Sequence, residues 1–203
     1  MVRKHSIQKK RFSRDNRAKK ATKIYGFHAV AAALLNPKRQ NFELFATVEA
    51  LETLKTKRDC WSDMALKAMT KANLMNREEI NKLMPQGSAH QGVVLSVDAL
   101  PNLNLKDILY SQNSNIGPIV VLDQVTDPQN VGTIMRSALS FGAKAIVMQS
   151  RHSPDITGAL AKAASGALES LPMIYVSNLS RAIDELKNAG FWVIGLDTKG
   201  DTE

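Results

Sequence analysis

Between Ile119 and Gly195 short apolar runs alternate with longer amphipathic stretches, and no other feature of the chain restricts its fold as much. The runs Ile119–Leu122, Ala145–Met148, Met173–Val176 and Trp192–Gly195 lack period-two polarity, as strands buried on both faces do. Between them lie helix patterns over about 128–141, 155–169 and 179–189. Strand–helix alternation of this kind predicts a parallel sheet covered by helices. Ligands in such sheets bind at the carboxyl ends of the strands. The loops to watch therefore follow Leu122, Met148, Val176 and Gly195.

The segment before this is also α/β but less regular. Phe27, Val30, Ala31, Leu34 and Leu35 recur at helical spacing from Ile24 onward, and Asn36-Pro37 ends the pattern. A β-rich run over Phe42–Val48, a helical stretch over Cys60–Lys71, and a capping box at Asn76-x-x-Glu79 follow. The segment closes on an alternating strand, Gln91–Val97. From Leu100 to Pro118 the composition shifts to Pro, Asn, Ser and Gly around a short apolar piece, Leu105–Tyr110. The expected organisation is an arm at 1–23, a small α/β domain at 24–98, a linker at 99–118 and the parallel-sheet domain at 119–203.

Charge separates the arm from the rest. Ten of the 27 basic residues lie between Arg3 and Lys23 against the single acid Asp15, so the net charge of +8 resides there and the remainder is nearly neutral. A segment this basic and this poor in apolar residues does not fold alone, and a polyanion, RNA or DNA, is its natural partner. A solvated tail or a mitochondrial presequence is the alternative; a secretory signal is excluded because no apolar central region is present. The longest apolar run, Ala29–Leu35, is too short to span a membrane. The lone Cys60 forms no internal disulfide, no Cys/His cluster has zinc spacing, and a reducing cytoplasm fits.

The loop after the first strand, Asp123–Asn130, leads to Asp127-Pro128, an N-cap followed by proline at the first helical position. On the helix that follows, Val131, Ile134, Met135, Ala138 and Leu139 share one face, and Arg136 lies away from it. Gly132, one turn earlier, leaves room beside the guanidinium. On spacing alone Arg136 also reads as a solvated helix residue and Asn130 as a helix-start residue. Neither a G-x-G-x-x-G fingerprint nor a P-loop is present, which argues against nicotinamide and nucleoside-triphosphate chemistry.

The run Asn130-Val-Gly-Thr-Ile-Met-Arg136, preceded by Leu122-Asp-Gln-Val-Thr-Asp-Pro-Gln, resembles the first signature motif of the SpoU branch of the SPOUT methyltransferases. Ala163–Pro172 and Asn178–Ala182 are similar to further segments of that family, and Ile24–Val30 and His90–Val94 resemble the two ends of its substrate-binding domain. The resemblance covers nearly everything after Lys23 and is nearest to bacterial enzymes that methylate guanosine 2′-O in 23S ribosomal RNA. It implies methyl transfer from S-adenosylmethionine to a ribose 2′-hydroxyl, RNA as partner, and a homodimer for a complete chain. Arg136 and Asn130 carry over as catalytic residues, and the Gly195-Leu196-Asp197 loop as part of the cofactor pocket. Since a guanidinium holds its proton in proteins, Arg136 is better suited to orient the neighbouring phosphate than to act as a base. His28 and His90, in the matching segments of the smaller domain, read as structural or RNA-contacting, and Glu169 as a helix-end structural residue.

The resemblance also implies a glycine-rich loop with a glutamate, and a segment with Ser and Asn, that complete the cofactor pocket and thread a trefoil knot. Neither is found by Glu203. The expectation is an incomplete SPOUT domain, either a piece of a longer protein or a shortened one, and hence either a methyltransferase or an RNA-binding homologue without catalysis.

Overall fold

The computed structural model describes residues 21–40, 42–57, 61–110, 117–151 and 153–196. The basic arm before Ala21, Cys60 and Asp197 lie outside the described residues.

The first unit is built on a four-stranded sheet of β1 (Thr22–Tyr25), β2 (Glu43–Ala46), β3 (Asn73–Leu74) and β4 (Val93–Val97), in the order β1-β4-β2-β3. β4 runs antiparallel to both β1 and β2, with Leu95 opposite Ile24 and Leu44, and all three side chains are buried. Four helices accompany the sheet: α1 (Phe27–Leu35), α2 (Val48–Lys55), α3 (Asp63–Thr70) and α4 (Arg77–Leu83). The capping box at Asn76 and Glu79 is formed reciprocally, at 2.9 and 2.8 Å, and starts α4. The periodic pattern expected from Ile24 splits in two. Ile24 belongs to β1, and the helix begins only after Gly26, whose φ of +86° turns the chain out of the strand.

The second unit carries β5 (Ile119–Leu122), β6 (Ala145–Gln149) and β7 (Met173–Val176) as a parallel sheet in that order. The side chains alternate strictly. Ile146, Met148, Leu122 and Met173 enter one core shared with α6 (Pro128–Ser140), α7 (Gly158–Ala164), α8 (Ala167–Ser170) and the first unit. Ala145, Val147 and Ile174 face the other side, under α9 (Leu179–Asn188) and α5 (Leu105–Leu109). Within the stretch read as a linker, then, Leu105 is buried against the sheet.

The structure departs from the sequence pattern in two places. The helix read over 155–169 is two: it starts at Gly158, capped by Thr157, and breaks where Ser165 and Gly166 take φ of +50° and +96°. A Cβ on Gly166 would lie 2.9 Å from Ala32 Cβ, so the break seats α1 against the second unit. The strand expected at Trp192–Gly195 does not form. After Phe191 packs beneath α9, Trp192, Ile194 and Leu196 stand 96%, 87% and 100% exposed, in no ladder. Apolar alternation supplies a strand's side chains but not the neighbouring backbone that a strand requires.

The two units meet over α7, α8 and the α1–β1 face. Gly158 packs so closely that a Cβ there would lie 2.4 Å from the Lys23 carbonyl and 2.5 Å from the Tyr25 ring. Lys162 donates to the Ala89 carbonyl at 2.8 Å. Arg39, 2% exposed, donates from Nε and Nη2 to the two carboxylate oxygens of Glu169 at 3.0 and 2.7 Å. Asn36 Nδ2 donates to the same carboxylate at 2.7 Å, and Arg39 Nη1 to the Asp98 carbonyl. A bidentate ion pair fixes orientation as well as distance, so the units are held in one relative pose.

Candidate active site

The helix that carries the sequence motif is α6, and its start is made locally. Asp127 accepts from the Gln129 N–H at 3.1 Å, and Pro128 occupies the first turn, where its missing N–H costs nothing. The loop before it passes through Gln124 at φ +54°, a left-handed conformation that a non-glycine residue adopts at some cost. Val131, Met135 and Ala138 are buried; Ile134 is half-buried and Leu139 is 37% exposed.

Gly132 has a different role from the one its spacing implied. It is buried against α7, and a Cβ there would lie 2.5 Å from the Leu160 carbonyl, 2.7 Å from Ala163 Cβ and 2.9 Å from the Ala164 nitrogen. Glycine is needed for the helix crossing, not to clear space for Arg136.

Two clefts open where the units meet. The larger, about 900 Å³, lies at the carboxyl ends of the parallel strands. Pro128, Gln129, Ile156, Thr157 and Tyr175 line it from the sheet domain, and Tyr25, Met84, Pro85 and Leu100 from the other side. The smaller, about 610 Å³, runs along the flank of α6, where Arg136, Leu139 and Ser140 face His28, Ala31, Ala32 and Lys57 across the α7–α8 turn. Arg136 is exposed and in no ion pair among the described residues.

The predicted residues are thus distributed rather than gathered. Asn130 is exposed in the first turn of α6, next to Pro128 and Gln129 at the larger cleft; Arg136 lines the smaller one. Six residues of helix put them roughly 9 Å apart along the axis and about a third of a turn apart around it. Gly195 and Leu196 meet neither: Leu196 is fully exposed, and a Cβ on Gly195 would touch nothing within 4 Å. The described part of this loop therefore offers no enclosure to a cofactor.

The histidines separate by burial. His28 is exposed and lines the smaller cleft. His90, 3% exposed, has Nε2 2.8 Å from Asn81 Oδ1 and accepts from the Gly92 N–H on Nδ1 at 3.1 Å, which closes the turn into β4. Burial, then the positive charges of Arg77 and Lys162, lower its pKa. Neutral and hydrogen-bonded on both nitrogens, it is structural. Arg39 and Lys57 had no signal in the sequence: Arg39 finds its acid 130 residues away, and Lys57 follows a helix that the apolar pattern did not reveal.

The architecture is a parallel α/β sheet joined through a buried ion pair to a smaller sheet domain, with the helix of the Asn130–Arg136 motif facing the joint. Comparison with known families gives it a lineage. Residues 117–203 match the SpoU rRNA Methylase family, and residues 23–103 match the family described as RNA 2'-O ribose methyltransferase substrate binding. The 23S rRNA (guanosine-2'-O-)-methyltransferase RlmB of Neisseria meningitidis serogroup B is 34% identical over 182 residues, covering 89% of this chain and 70% of that protein. The RlmB of Coxiella burnetii is 32% identical over 190 residues, covering 90% and 72%. Among solved structures, the SpoU methyltransferase AviRb of Streptomyces viridochromogenes in complex with AdoMet superposes with a TM-score of 0.58 at 20% identity, covering 83% of this chain and 60% of that one. An AdoMet-bound rRNA methyltransferase from Sinorhizobium meliloti gives 0.59 at 22%, covering 84% and 59%. The chain belongs to the SpoU methylase family. It spans about 70% of the length of these curated relatives and about 60% of these solved structures.

Proposed function

We propose that this chain serves the transfer of a methyl group from S-adenosylmethionine to a ribose 2′-hydroxyl of RNA, with a guanosine of 23S rRNA as the target. The observation that carries the reading is the rigid joint between a substrate-binding domain and the helix bearing Asn130 and Arg136. In this class S-adenosylmethionine supplies the methyl group. What the chain itself contributes is binding and alignment. A ribose hydroxyl is a weak nucleophile, and holding it in line with the methyl accounts for much of the acceleration. Arg136, a cation open to solvent on the cleft wall, fits the neighbouring phosphate and so orients the hydroxyl. Asn130, in the first turn of α6, supports the geometry of the strand-end cleft.

A second reading rests on the exposed course of Trp192–Leu196: without an enclosure for the methyl donor among the described residues, the chain binds RNA and does not methylate it. Calorimetry with S-adenosylmethionine, paired with tritiated methyl transfer to 23S rRNA, separates the two. The first reading requires saturable donor binding and methylation that Arg136→Ala abolishes while RNA binding falls by no more than about tenfold, the size of one charge-assisted contact. Donor binding absent from both this chain and any extended form overturns it. We further propose pairing into a homodimer through the sheet domain, whose β5 edge has no strand partner among the described residues and borders an apolar groove around Val120, Ile134 and Phe141; light scattering that returns a monomer refutes this.

A further inference from the structure

The smaller cleft has a charge asymmetry that the reaction helix alone does not explain. Lys57 and His28 stand on the wall formed by the first unit, and Arg136 on the wall formed by α6. Among the described residues no carboxylate lines the cleft, and neither Lys57 nor Arg136 has an ion-pair partner. Two cations so placed repel each other across one space, and an anion between them reverses the sign of that interaction. Ser165 and Ser170 bring hydroxyl groups to the floor.

The walls do not drift apart. Arg39 and Asn36, just beyond α1, grip Glu169 of α8, and Gly166 lets Ala32 of α1 sit directly on the α7–α8 turn. Lys57 is itself steadied, its ammonium lying 5.5 Å from the centroid of the Phe27 ring, a cation–π distance. A volume of about 610 Å³ is of the size that takes a nucleotide rather than a bare ion.

From this geometry we infer that the cleft binds the phosphodiester backbone of the RNA substrate, gripped by Lys57 and His28 from the substrate-binding domain and by Arg136 from the reaction helix. The inference rests on the RNA reading above and deepens it. One stretch of backbone touching both walls couples recognition to alignment: the domain that selects the RNA shares a ligand with the residue that orients the reacting ribose. Lys57 is then a specificity and binding residue, not a catalytic one.

The test is fluorescence anisotropy of the full chain with a labelled RNA stem-loop, titrated between about 50 and 200 mM salt, where phosphate contacts are most visible. Lys57→Ala is expected to weaken binding roughly 5- to 10-fold and to lower the salt slope by about one, as loss of one phosphate contact does. Lys57→Arg restores both. The Lys57→Ala, Arg136→Ala double variant loses less than the product of the two single losses, because both residues hold the same segment. Wild-type affinity and slope for Lys57→Ala, or strictly multiplicative losses in the double variant, overturn the shared-backbone site while leaving the RNA reading intact. Failure of the wild-type chain to bind RNA at all overturns that reading, and this site with it. Lys57 is exposed, so its variants fold, and unchanged melting curves verify this.

Discussion

Replacing Glu169 with alanine tests whether the two domains are one body by design of a single buried ion pair. The carboxylate accepts from Arg39 Nε at 3.0 Å, Arg39 Nη2 at 2.7 Å and Asn36 Nδ2 at 2.7 Å, while side-chain exposures are 2% for Arg39 and 5% for Glu169. Alanine leaves the guanidinium buried with only the Asp98 carbonyl. Breaking a buried pair from one side costs about 3–5 kcal/mol, because the stranded charge keeps its desolvation penalty. For a chain of this size that is a fall in Tm of roughly 6–20 °C. Replacing both partners with apolar residues, Arg39→Met with Glu169→Leu, recovers most of the loss, since the desolvation cost disappears with the charges. The assay is urea unfolding with the first unit followed by the fluorescence of Trp61, Trp192 being replaced by phenylalanine, and the second unit by hydrogen exchange at the amides of the central strand β6. Wild type gives coincident transitions; Glu169→Ala separates them. A Glu169→Ala protein within about 1 kcal/mol of wild type, with transitions still coincident, refutes the clamp.

Gly132→Ala gains about 1 kcal/mol of helix propensity but drives a methyl group into the α7 backbone, for a net loss of about 2 kcal/mol, read as a lower urea midpoint. His90 gives a pH signature. With its folded pKa lowered, first by burial, the unfolded state takes up the proton more readily, so its contribution is complete above about pH 6.5 and declines as pH falls toward the lowered value. Urea midpoints at pH 7.5 and pH 5 should therefore differ more for wild type than for His90→Asn; equal differences would count against it. Deleting residues 1–20, which removes nine of the arm's ten cations, should weaken RNA binding and flatten its salt dependence, and an unchanged slope would show that these nine make no phosphate contacts.

Local patterns that depend only on neighbours in the chain were readable. β5 and β7 have the limits that their apolar runs define, and the Asp127-Pro128 start and the Asn76–Glu79 capping box are local hydrogen bonds between residues two or three apart. Where partners are distant the local pattern misleads. Trp192–Gly195 has the side chains of a strand and no ladder; β1 runs without a break in periodicity into the helix after it; and the 155–169 helix breaks where α1 presses on Gly166. Asn130 and Arg136 stand in one motif, yet Arg136 lines the smaller cleft while Asn130 lies beside the Pro128 and Gln129 that line the larger, a separation that appears only when the first unit is docked beside α6.

The sequence by itself determined the lineage, the parallel sheet and the helix that presents Arg136, because motif, strand run and cap are each encoded within a few residues. Only the tertiary structure decided that Gly132 serves a helix crossing, that Arg39 and Glu169 lock the domains across 130 residues, and that Lys57 shares a cleft with Arg136. Those facts depend on which surfaces exclude water together, and close packing between remote segments leaves no periodic trace in the chain.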